Sequence, residues 1–216
     1  MAVLSSASQR NSMSAKRQPD SRAVNRWRKA RRAYAYASAR IAERRPTHRF
    51  AIDHIDLVLV SNFKGGNASI AEPLEALEEK LKAYNAGLLG IAEGFKEKHL
   101  RDLKDAQVLK LCGQAADFLQ LTLSNATKID GFGPSYASAL LNIYFSDLLP
   151  ILDRRVLLAS DAPHVQVNSQ GQIRKIEQHY SWLIQETHRH LRRNRKLTMS
   201  QLDFELFSMQ LSGKKR

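Results

Sequence analysis

The sequence predicts a mainly α-helical protein that has one short strand segment and a basic N-terminal arm. Apolar residues recur at helical spacing over most of the chain, and between Leu103 and Leu123 they cover a broad face, as in a core helix. The segment from residue 50 to residue 60 is instead rich in β-branched residues. The arm, residues 1–49, precedes a predicted helical domain at residues 50–216. A length of 216 residues suits this organisation.

The positive charge is concentrated in the arm. Residues 1–50 contain 13 Lys and Arg and 2 acidic residues, a net +11, whereas the 21 basic and 19 acidic residues that follow give +2. This excess indicates a polyanionic partner. The one cysteine, Cys112, excludes an internal disulfide and a Cys-based metal site. Because no apolar run approaches the ~18 residues that span a bilayer, we expect a cytoplasmic protein without a membrane partner.

The arm divides into two parts. Residues 1–20 are polar and Ser-rich, which predicts disorder. Residues 21–45 predict a helix whose Val, Trp, Tyr and Ile lie near one face and whose Arg residues cover the others; Pro46 ends it. Three interpretations remain open for this helix: a nucleic-acid-binding arm, an organelle transit peptide, and a helix that docks its narrow apolar stripe on the body. The basic composition favours the first.

Residues 50–60, FAIDHIDLVLV, favour a strand over a short apolar helix. Asp53, His54 and Asp56 suggest a metal cluster, but a strand would point Asp53 away from the other two. A solvated strand face is therefore the favoured interpretation. After a turn that lacks the pattern of a phosphate loop, residues 69–72 have the signature of a capping box.

The capping box predicts a helix that ends near Asn85–Gly87, followed by a second helix, residues 88–99, that bends at its glycines. Farther on, a polar helix is predicted to restart near Gly171. Ser200 and Asp203 resemble the cap of a last helix, and residues 214–216 form a basic tail.

The stretch from Lys128 to Val156 has the strongest pattern. Gly131 and Gly133 predict a tight hairpin that lets the main chain approach a ligand closely. Pro134 fits the first turn of the helix that follows. Asp153 is a good N-cap for a further helix.

This stretch resembles the helix-hairpin-helix DNA glycosylase superfamily, and the C-terminal segments look like bacterial proteins of the 8-oxoguanine type. The residues that match the family pattern are Ile129, Gly131, Phe132, Gly133, Ala137, Pro150, Ile151 and Asp153. Asp153 follows Ser135, the position where some members place a Lys, by the family spacing of 18 residues. The resemblance implies a glycosylase-like helical domain with the hairpin at 128–144 and the catalytic region at 149–160.

The resemblance also implies roles for individual residues. Asp153 is the expected catalytic carboxylate, because excision of a base builds positive charge on the deoxyribose. The expected contacts to double-stranded DNA are Lys128, Gly131, Phe132, Gly133, Ser135, Arg154 and Arg155. Tyr180 and Trp182 are candidates for stacking on a flipped base, although core packing is the favoured interpretation for both. No metal or cofactor is implied, and we expect a monomer associated with the nucleoid.

Two positions depart from the family pattern. Ser135 cannot form the Schiff base that drives strand cleavage, so the expected activity is monofunctional: base excision that leaves an abasic site. Arg154 and Arg155 stand where many members have other residues, and either they contact phosphate or Arg155 pairs with Asp153 and silences it. The biological setting is either base-excision repair or defence against foreign modified DNA. The alternatives are a non-catalytic DNA-binding protein and a basic protein associated with RNA.

Overall fold

Eight α-helices carry the fold in the described part of the computed structural model, which comprises residues 21–44, 50–65 and 70–211. The helices are α1 (Ser21–Arg44), α2 (His54–Phe63), α3 (Leu74–Phe95), α4 (Asp105–Gln120), α5 (Pro134–Tyr144), α6 (Arg154–Ala159), α7 (Tyr180–Arg193) and α8 (Met199–Leu211). The predicted α class is confirmed. The predictions for the tail 1–20, for Pro46 and for the tail 214–216 lie outside the described residues.

The hydrophobic core lies where α3, α4, α5 and α7 meet. Its largest fully buried side chains include Tyr84 of α3, Phe118 of α4 and Tyr180 of α7. The rings of Tyr84 and Phe118 meet edge to face at 5.5 Å between centroids, an arrangement that aromatic pairs prefer. Phe132 of the predicted hairpin lies 6.3 Å from Tyr84 in the same cluster. The core therefore extends to the hairpin and fixes its position.

The strand predicted for residues 50–60 is wrong, because the chain forms α2 there. The carboxylate of Asp53 accepts hydrogen bonds from the N–H groups of Ile55 and Asp56 at 2.9 and 3.2 Å, and Asp56 accepts one from the N–H of Asp53 at 3.0 Å. This reciprocal capping box starts the helix. It and tertiary packing outweigh the modest β preference of Val and Ile.

The carboxylates of α2 are structural. Asp56 is fully buried, so the interpretation of this segment as a solvated face is wrong for that residue. Arg44 of α1 forms ion pairs with both Asp53 and Asp56, and Tyr144 donates a hydrogen bond to Asp56 at 3.3 Å. These partners satisfy two carboxylates that would otherwise be costly to bury. Among the described residues, no group of three or more His, Cys, Asp or Glu could hold a metal ion.

Helix α3 continues to Phe95, so the predicted end near residues 85–87 and the predicted second helix are wrong. Gly87 serves helix packing instead of chain reversal. A Cβ at Gly87 would lie 3.0 Å from the ring of Phe118, and the carbonyl of Gly90 accepts a hydrogen bond from Gln114 at 2.9 Å. The missing side chain of Gly87 therefore allows α3 and α4 to approach closely.

Helix α1 packs on the body, as the docking interpretation of the arm predicts. Ala37 and Ile41 are buried in the core, and Tyr34 contacts Phe63 at the end of α2. Trp27 meets Phe204 of α8 with 5.4 Å between ring centroids. The Arg and Lys residues at positions 28, 29, 31 and 32 remain exposed. This helix therefore presents an apolar face to the body and a basic face to solvent.

The C-terminal third also differs in detail from the prediction. A turn with Gly171 and Lys175 at φ +74° and +49° occupies the region where a helix was expected, and α7 begins only at Tyr180. The left-handed backbone at these two residues is incompatible with a continuous helix. In the part of the chain that the structure describes, no helix combines the length and apolar character needed to cross a membrane.

Candidate active site

The hairpin between α4 and α5 adopts the predicted tight turn. Gly131 has φ of +79°, a left-handed conformation that favours glycine. Ile129 and Phe132 are buried and anchor the turn in the core. Gly133 immediately precedes α5, and no side chain caps that helix. Pro134 has no N–H, and the N–H groups of Tyr136 and Ala137 bond to the carbonyl of Gly133, so the N–H of Ser135 is the one in this first turn that stays available to a ligand.

Two charged residues, one just before α3 and one within it, hold the hairpin in place. Glu72 accepts a hydrogen bond from the N–H of Asp130 at 2.8 Å. Lys80 of α3 donates to the carbonyl of Lys128 at 2.6 Å and pairs with Glu72 at 2.5 Å. Of the expected capping box at residues 69–72, residue 69 lies outside the described residues. Glu72 itself braces the turn that carries Gly131.

Two hydrogen bonds connect helix α5 to Leu152, the residue before Asp153. The hydroxyl of Ser135 donates a hydrogen bond to the carbonyl of Leu152 at 2.7 Å, and the hydroxyl of Ser138 accepts one from the N–H of Leu152 at 2.9 Å. The two serines lie three residues apart and therefore share a face of the helix. This contact brings the hairpin and Asp153, which are distant in sequence, into one site.

Two further side chains fix the segment before Asp153. Asn142 donates to the carbonyl of Leu149 at 2.6 Å, and the hydroxyl of Tyr180 donates to the carbonyl of Pro150 at 2.9 Å. Tyr180 is fully buried, so its ring lies in the core and not in a pocket open to a base. Trp182 packs partly buried against the same core. For both residues the structure shows the contacts that the core-packing interpretation predicts.

Asp153 is the N-cap of α6, as predicted. One carboxylate oxygen accepts a hydrogen bond from the N–H of Arg155 at 2.8 Å, and the other lies 3.0 Å from the ammonium of Lys64. Burial alone would raise the pKa of this carboxyl group, but Lys64 and the Arg155 N–H together lower it below its ordinary value. Asp153 is therefore ionised at neutral pH, with 26% of its side chain exposed.

The two arginines after Asp153 take different positions. The guanidinium of Arg154 donates a hydrogen bond to the carbonyl of Gly171. Arg155 lines the cleft beside Asp153 and contributes to lowering its pKa. The ion pair that holds the carboxylate is nevertheless formed by Lys64, a residue that sequence reasoning did not select. A lone Lys in the turn after α2 offers no sequence signal for a contact 89 positions away.

A cleft of about 410 Å³ lies in front of Asp153. Apolar and aromatic side chains form much of its wall, together with a few charged groups. Its lining consists of Trp27, Ala30, Phe63, Lys64, Gly65, Ile151, Asp153, Arg155, Val156 and Asp203. The rings of Trp27 and Phe63 contact those of Phe204 and Tyr34, respectively. Apolar walls with a few polar groups are typical of small-molecule sites.

Asp203 of α8 is the second carboxyl group of this cleft. It also lines an adjoining cavity of about 210 Å³, which shares Trp27 and Phe63 with the cleft. Burial and the nearby negative charge of Asp153 raise the pKa of Asp203 to about 7, against the opposing effect of Lys64. The cleft therefore contains one carboxyl group that is ionised and one that binds a proton near neutral pH.

The other residues expected to contact DNA differ in exposure. Lys128 is exposed and lies 3.4 Å from Asp130. Gly131 is exposed, and Gly133 and Ser135 are partly so. Phe132 is buried, and its side chain supports the hairpin from inside. Apart from Phe132, the expected hairpin contacts are at least partly accessible to a ligand.

Comparisons of the chain with protein-family models, with curated proteins and with solved structures found no significant match. The function is therefore inferred from the geometry of the hairpin and the cleft.

Proposed function

We propose that the protein is a monofunctional DNA glycosylase that hydrolyses the N-glycosidic bond of a damaged or modified base. One observation carries this proposal: an ionised carboxylate, Asp153, faces a cleft while its segment is hydrogen-bonded to the helix of a Gly-Phe-Gly hairpin. The hairpin provides a place for the DNA backbone. The carboxylate provides the charge that base excision requires.

The hairpin supports backbone binding that does not depend on sequence. The uncapped N-terminus of α5 presents the N–H of Ser135 and the positive end of the helix dipole. A Cβ added at Gly133 would meet no atom within 4 Å, so the space beside this residue is open to a phosphate. Lys128 and Arg155 add positive charge near the hairpin and the cleft. Contacts of this type position a protein on DNA without reading bases.

The cleft supports base excision. A target base must leave the stack to be reached, and the rings of Trp27 and Phe63 offer apolar surface on which it can lie. As the bond to the base breaks, positive charge develops on the deoxyribose. The carboxylate of Asp153 stabilises this charge and accepts a proton from the attacking water.

Strand cleavage is not expected from this site. The hydroxyl of Ser135 is bonded to the carbonyl of Leu152 and cannot form a Schiff base. Lys64 is the one amine among the described residues of the cleft lining, and its nitrogen is held 3.0 Å from the carboxylate of Asp153. Because this ion pair occupies the amine, borohydride should trap little or no covalent complex with an abasic site.

A second candidate function is a non-catalytic DNA-binding protein. The ion pair between Lys64 and Asp153 favours it, because the pair neutralises the carboxylate that catalysis needs. In either case we propose double-stranded DNA as the partner of a monomeric, nucleoid-associated protein. A glycosylase with this site would serve repair or defence against foreign modified DNA.

Replacement of Asp153 by Asn separates the two functions. Asn is as good an N-cap as Asp, so D153N removes the charge while it keeps the start of α6. We expect the wild type to produce alkali-labile sites in duplexes from a panel of modified bases, and D153N to lose about 10² to 10⁴ in rate. Both proteins should bind unmodified duplex equally.

Asp53→Asn is the matched control, because Asp53 is also an N-cap with an ion pair but does not line the cleft. This variant should keep the wild-type excision rate. If the wild type leaves no alkali-labile site on any duplex of the panel yet binds DNA, the enzymatic proposal must be abandoned in favour of the non-catalytic one.

A further inference from the structure

Asp203 is positioned for a role in the cleft and not at the start of its helix. The cap of α8 is formed by Thr198 and Gln201: the N–H of Thr198 donates to the Gln201 side chain at 2.8 Å, and the N–H of Gln201 donates to the Thr198 hydroxyl at 3.2 Å. The expected cap by Ser200 and Asp203 is therefore wrong. Among the described residues, the carboxyl group of Asp203 takes part in no hydrogen bond or ion pair, and Asp203 lines both cavities.

The surroundings of Asp203 favour its protonated form. Charged and titratable groups from several elements share the two cavities with Asp203 or act on its charge. They are Arg31 and Tyr34 of α1, Lys64 after α2, Asp147 after α5, Asp153 and Arg155 at α6, and Tyr180 of α7. Burial raises the pKa of both tyrosines, so they stay neutral. The charge of Asp153 and burial raise the pKa of Asp203 to about 7, while Lys64 opposes this effect.

A protonated carboxyl group beside an ionised one divides acid and base roles between two residues, since like charges in one site do not both ionise readily. Asp153 stays ionised because Lys64 and the Arg155 N–H stabilise its charge. Asp203 has no such partner among the described residues. The lining of the cleft thus includes both a base and an acid.

We propose that Asp203 is the general acid of the cleft, which gives its proton to the base as the base leaves the deoxyribose. This inference rests on the proposed glycosylase function and adds a second catalytic residue to it. It also defines the substrate class: bases that leave poorly as anions and that have a ring nitrogen or carbonyl able to accept a proton.

Excision by this site breaks one bond at C1′ and forms another. The bond between C1′ and the base nitrogen breaks, and its electron pair goes to the base. The proton of Asp203 moves to the base, which leaves as a neutral molecule. Water adds to C1′, and its proton passes to the carboxylate of Asp153. Exchange with solvent then returns a proton to Asp203 and removes one from Asp153, so that no oxidant or reductant is needed.

The test is the pH dependence of single-turnover excision by Asp203→Asn on the duplex that the wild type cleaves best. For the wild type we expect the rate to fall as pH rises through about 7, where Asp203 loses its proton. The variant should be slower by about 10² to 10⁴ below that pH and should lose this fall. The loss should be smallest for a modified base that already leaves readily as an anion.

Asp203→Glu separates the loss of the acid from an effect on folding, because it changes the side chain but keeps a carboxyl group in the cleft. It should restore part of the rate and the fall at high pH. Asp117→Asn, which changes an exposed Asp on α4, should leave the rate and the pH profile unchanged. All variants should bind unmodified duplex as the wild type does.

The outcomes separate this inference from the proposed function. If D153N is inactive but D203N keeps the wild-type rate and pH profile, Asp203 is not the acid and the glycosylase proposal stands. A loss of rate in folded D203N that is equal at every pH and for every leaving base also overturns the inference. If the wild type excises no base, the proposed function fails and the role of Asp203 fails with it.

Discussion

Asp153 and Lys64 show how one ion pair serves the fold and sets the charge of the site. As the N-cap of α6, Asp153 contributes about 1 kcal/mol, and its bond to Lys64 joins the ends of α2 and α6. Both side chains are largely buried: that of Lys64 is 11% exposed and that of Asp153 is 26% exposed. A partly buried ion pair contributes more to the free energy of unfolding than an exposed one. Loss of one partner, however, leaves the other charge poorly solvated. The pair therefore determines at which pH Asp153 becomes neutral.

Lys64→Met tests this coupling. Because the folded-state pKa of Asp153 is lowered, its carboxylate stabilises the fold above its ordinary pKa of ~3.9, and this contribution is lost as pH falls through the folded-state pKa. Without Lys64, burial becomes the dominant influence and raises that pKa. We expect Lys64→Met to be less stable than the wild type at neutral pH and to lose less of its stability as pH falls, because protonation of Asp153 then removes an unpaired buried charge; urea unfolding from about pH 3 to 7 measures both effects.

Lys82→Met is the control for that measurement, since Lys82 forms an exposed pair with Glu79 on α3. Its free energy of unfolding should fall with decreasing pH as that of the wild type does, because exposed pairs contribute at most about 1 kcal/mol. If Lys64→Met also loses stability with decreasing pH as the wild type does, Lys64 does not set the ionisation of Asp153.

The hairpin and α5 form an element whose two glycines have different tasks. Gly131 is required by the turn itself, because its φ of +79° strains any residue that has a Cβ. Gly133 has φ of −90° and open space around its Cα, so the fold alone does not require glycine there. A function on the outer surface of the hairpin would explain Gly133.

The variant Gly133→Ala tests this difference between the two glycines. We expect the free energy of unfolding to change by less than about 1 kcal/mol, since the backbone angles suit alanine and nothing is displaced. Affinity for a DNA duplex should fall by about tenfold or more if the new Cβ blocks the approach of a phosphate. The two quantities can be measured by urea unfolding and by fluorescence anisotropy with a labelled duplex.

Gly113→Ala is the matched control, because a Cβ at this position of α4 also meets nothing within 4 Å. It should gain a few tenths to about 1 kcal/mol from helix propensity and bind DNA as the wild type does. If Gly133→Ala also binds like the wild type, the hairpin does not contact the DNA backbone.

At the scale of elements, the sequence was most informative where local signals agree. The apolar stripe of α4, the hairpin, Pro134 at the start of α5 and the N-cap Asp153 all lie where they were predicted. At residues 50–60, Val and Ile predict a strand and mask a capping box made by two Asp residues. The predicted end of α3 comes too early because Gly87, which serves packing, resembles a helix breaker.

Much of the excess positive charge of the molecule lies on a helix that is also part of its core. Ala37 and Ile41 of α1 are buried, while Arg28, Lys29 and Arg32 are exposed. Trp27 and Ala30 of the same helix line the cleft. Deletion of the arm would therefore damage the core and the cleft together. Substitution of the exposed residues is the cleaner test of a role in DNA binding.

Replacement of Arg28, Lys29 and Arg32 by Gln is expected to weaken binding to duplex DNA. If all three neutralise phosphates, the slope of log K against log salt concentration should become smaller by about 2 to 3, at about 0.9 per contact. Stability should change by no more than about 0.5 kcal/mol per substitution, as is usual at exposed positions. Affinities measured over a salt series give the slope.

The control is the replacement of Lys82, Lys104 and Lys110 by Gln, since these exposed residues of the neutral body do not line the cleft. This variant has the same change in net charge and should retain most of the salt dependence. Equal effects of the two triple variants would mean that α1 has no special part in DNA binding and that net charge alone attracts the DNA.

The sequence by itself determined the helical class, the hairpin with its two glycines, and the cap at Asp153, because each depends on a few neighbouring residues whose preferences agree. It also showed that the charge is concentrated before residue 51. Only the tertiary structure decided that Lys64 pairs with Asp153 and that Trp27 and Asp203 face the same cleft. These partners lie on helices far apart in the chain. Their contacts are set by packing around one core, for which no local pattern exists.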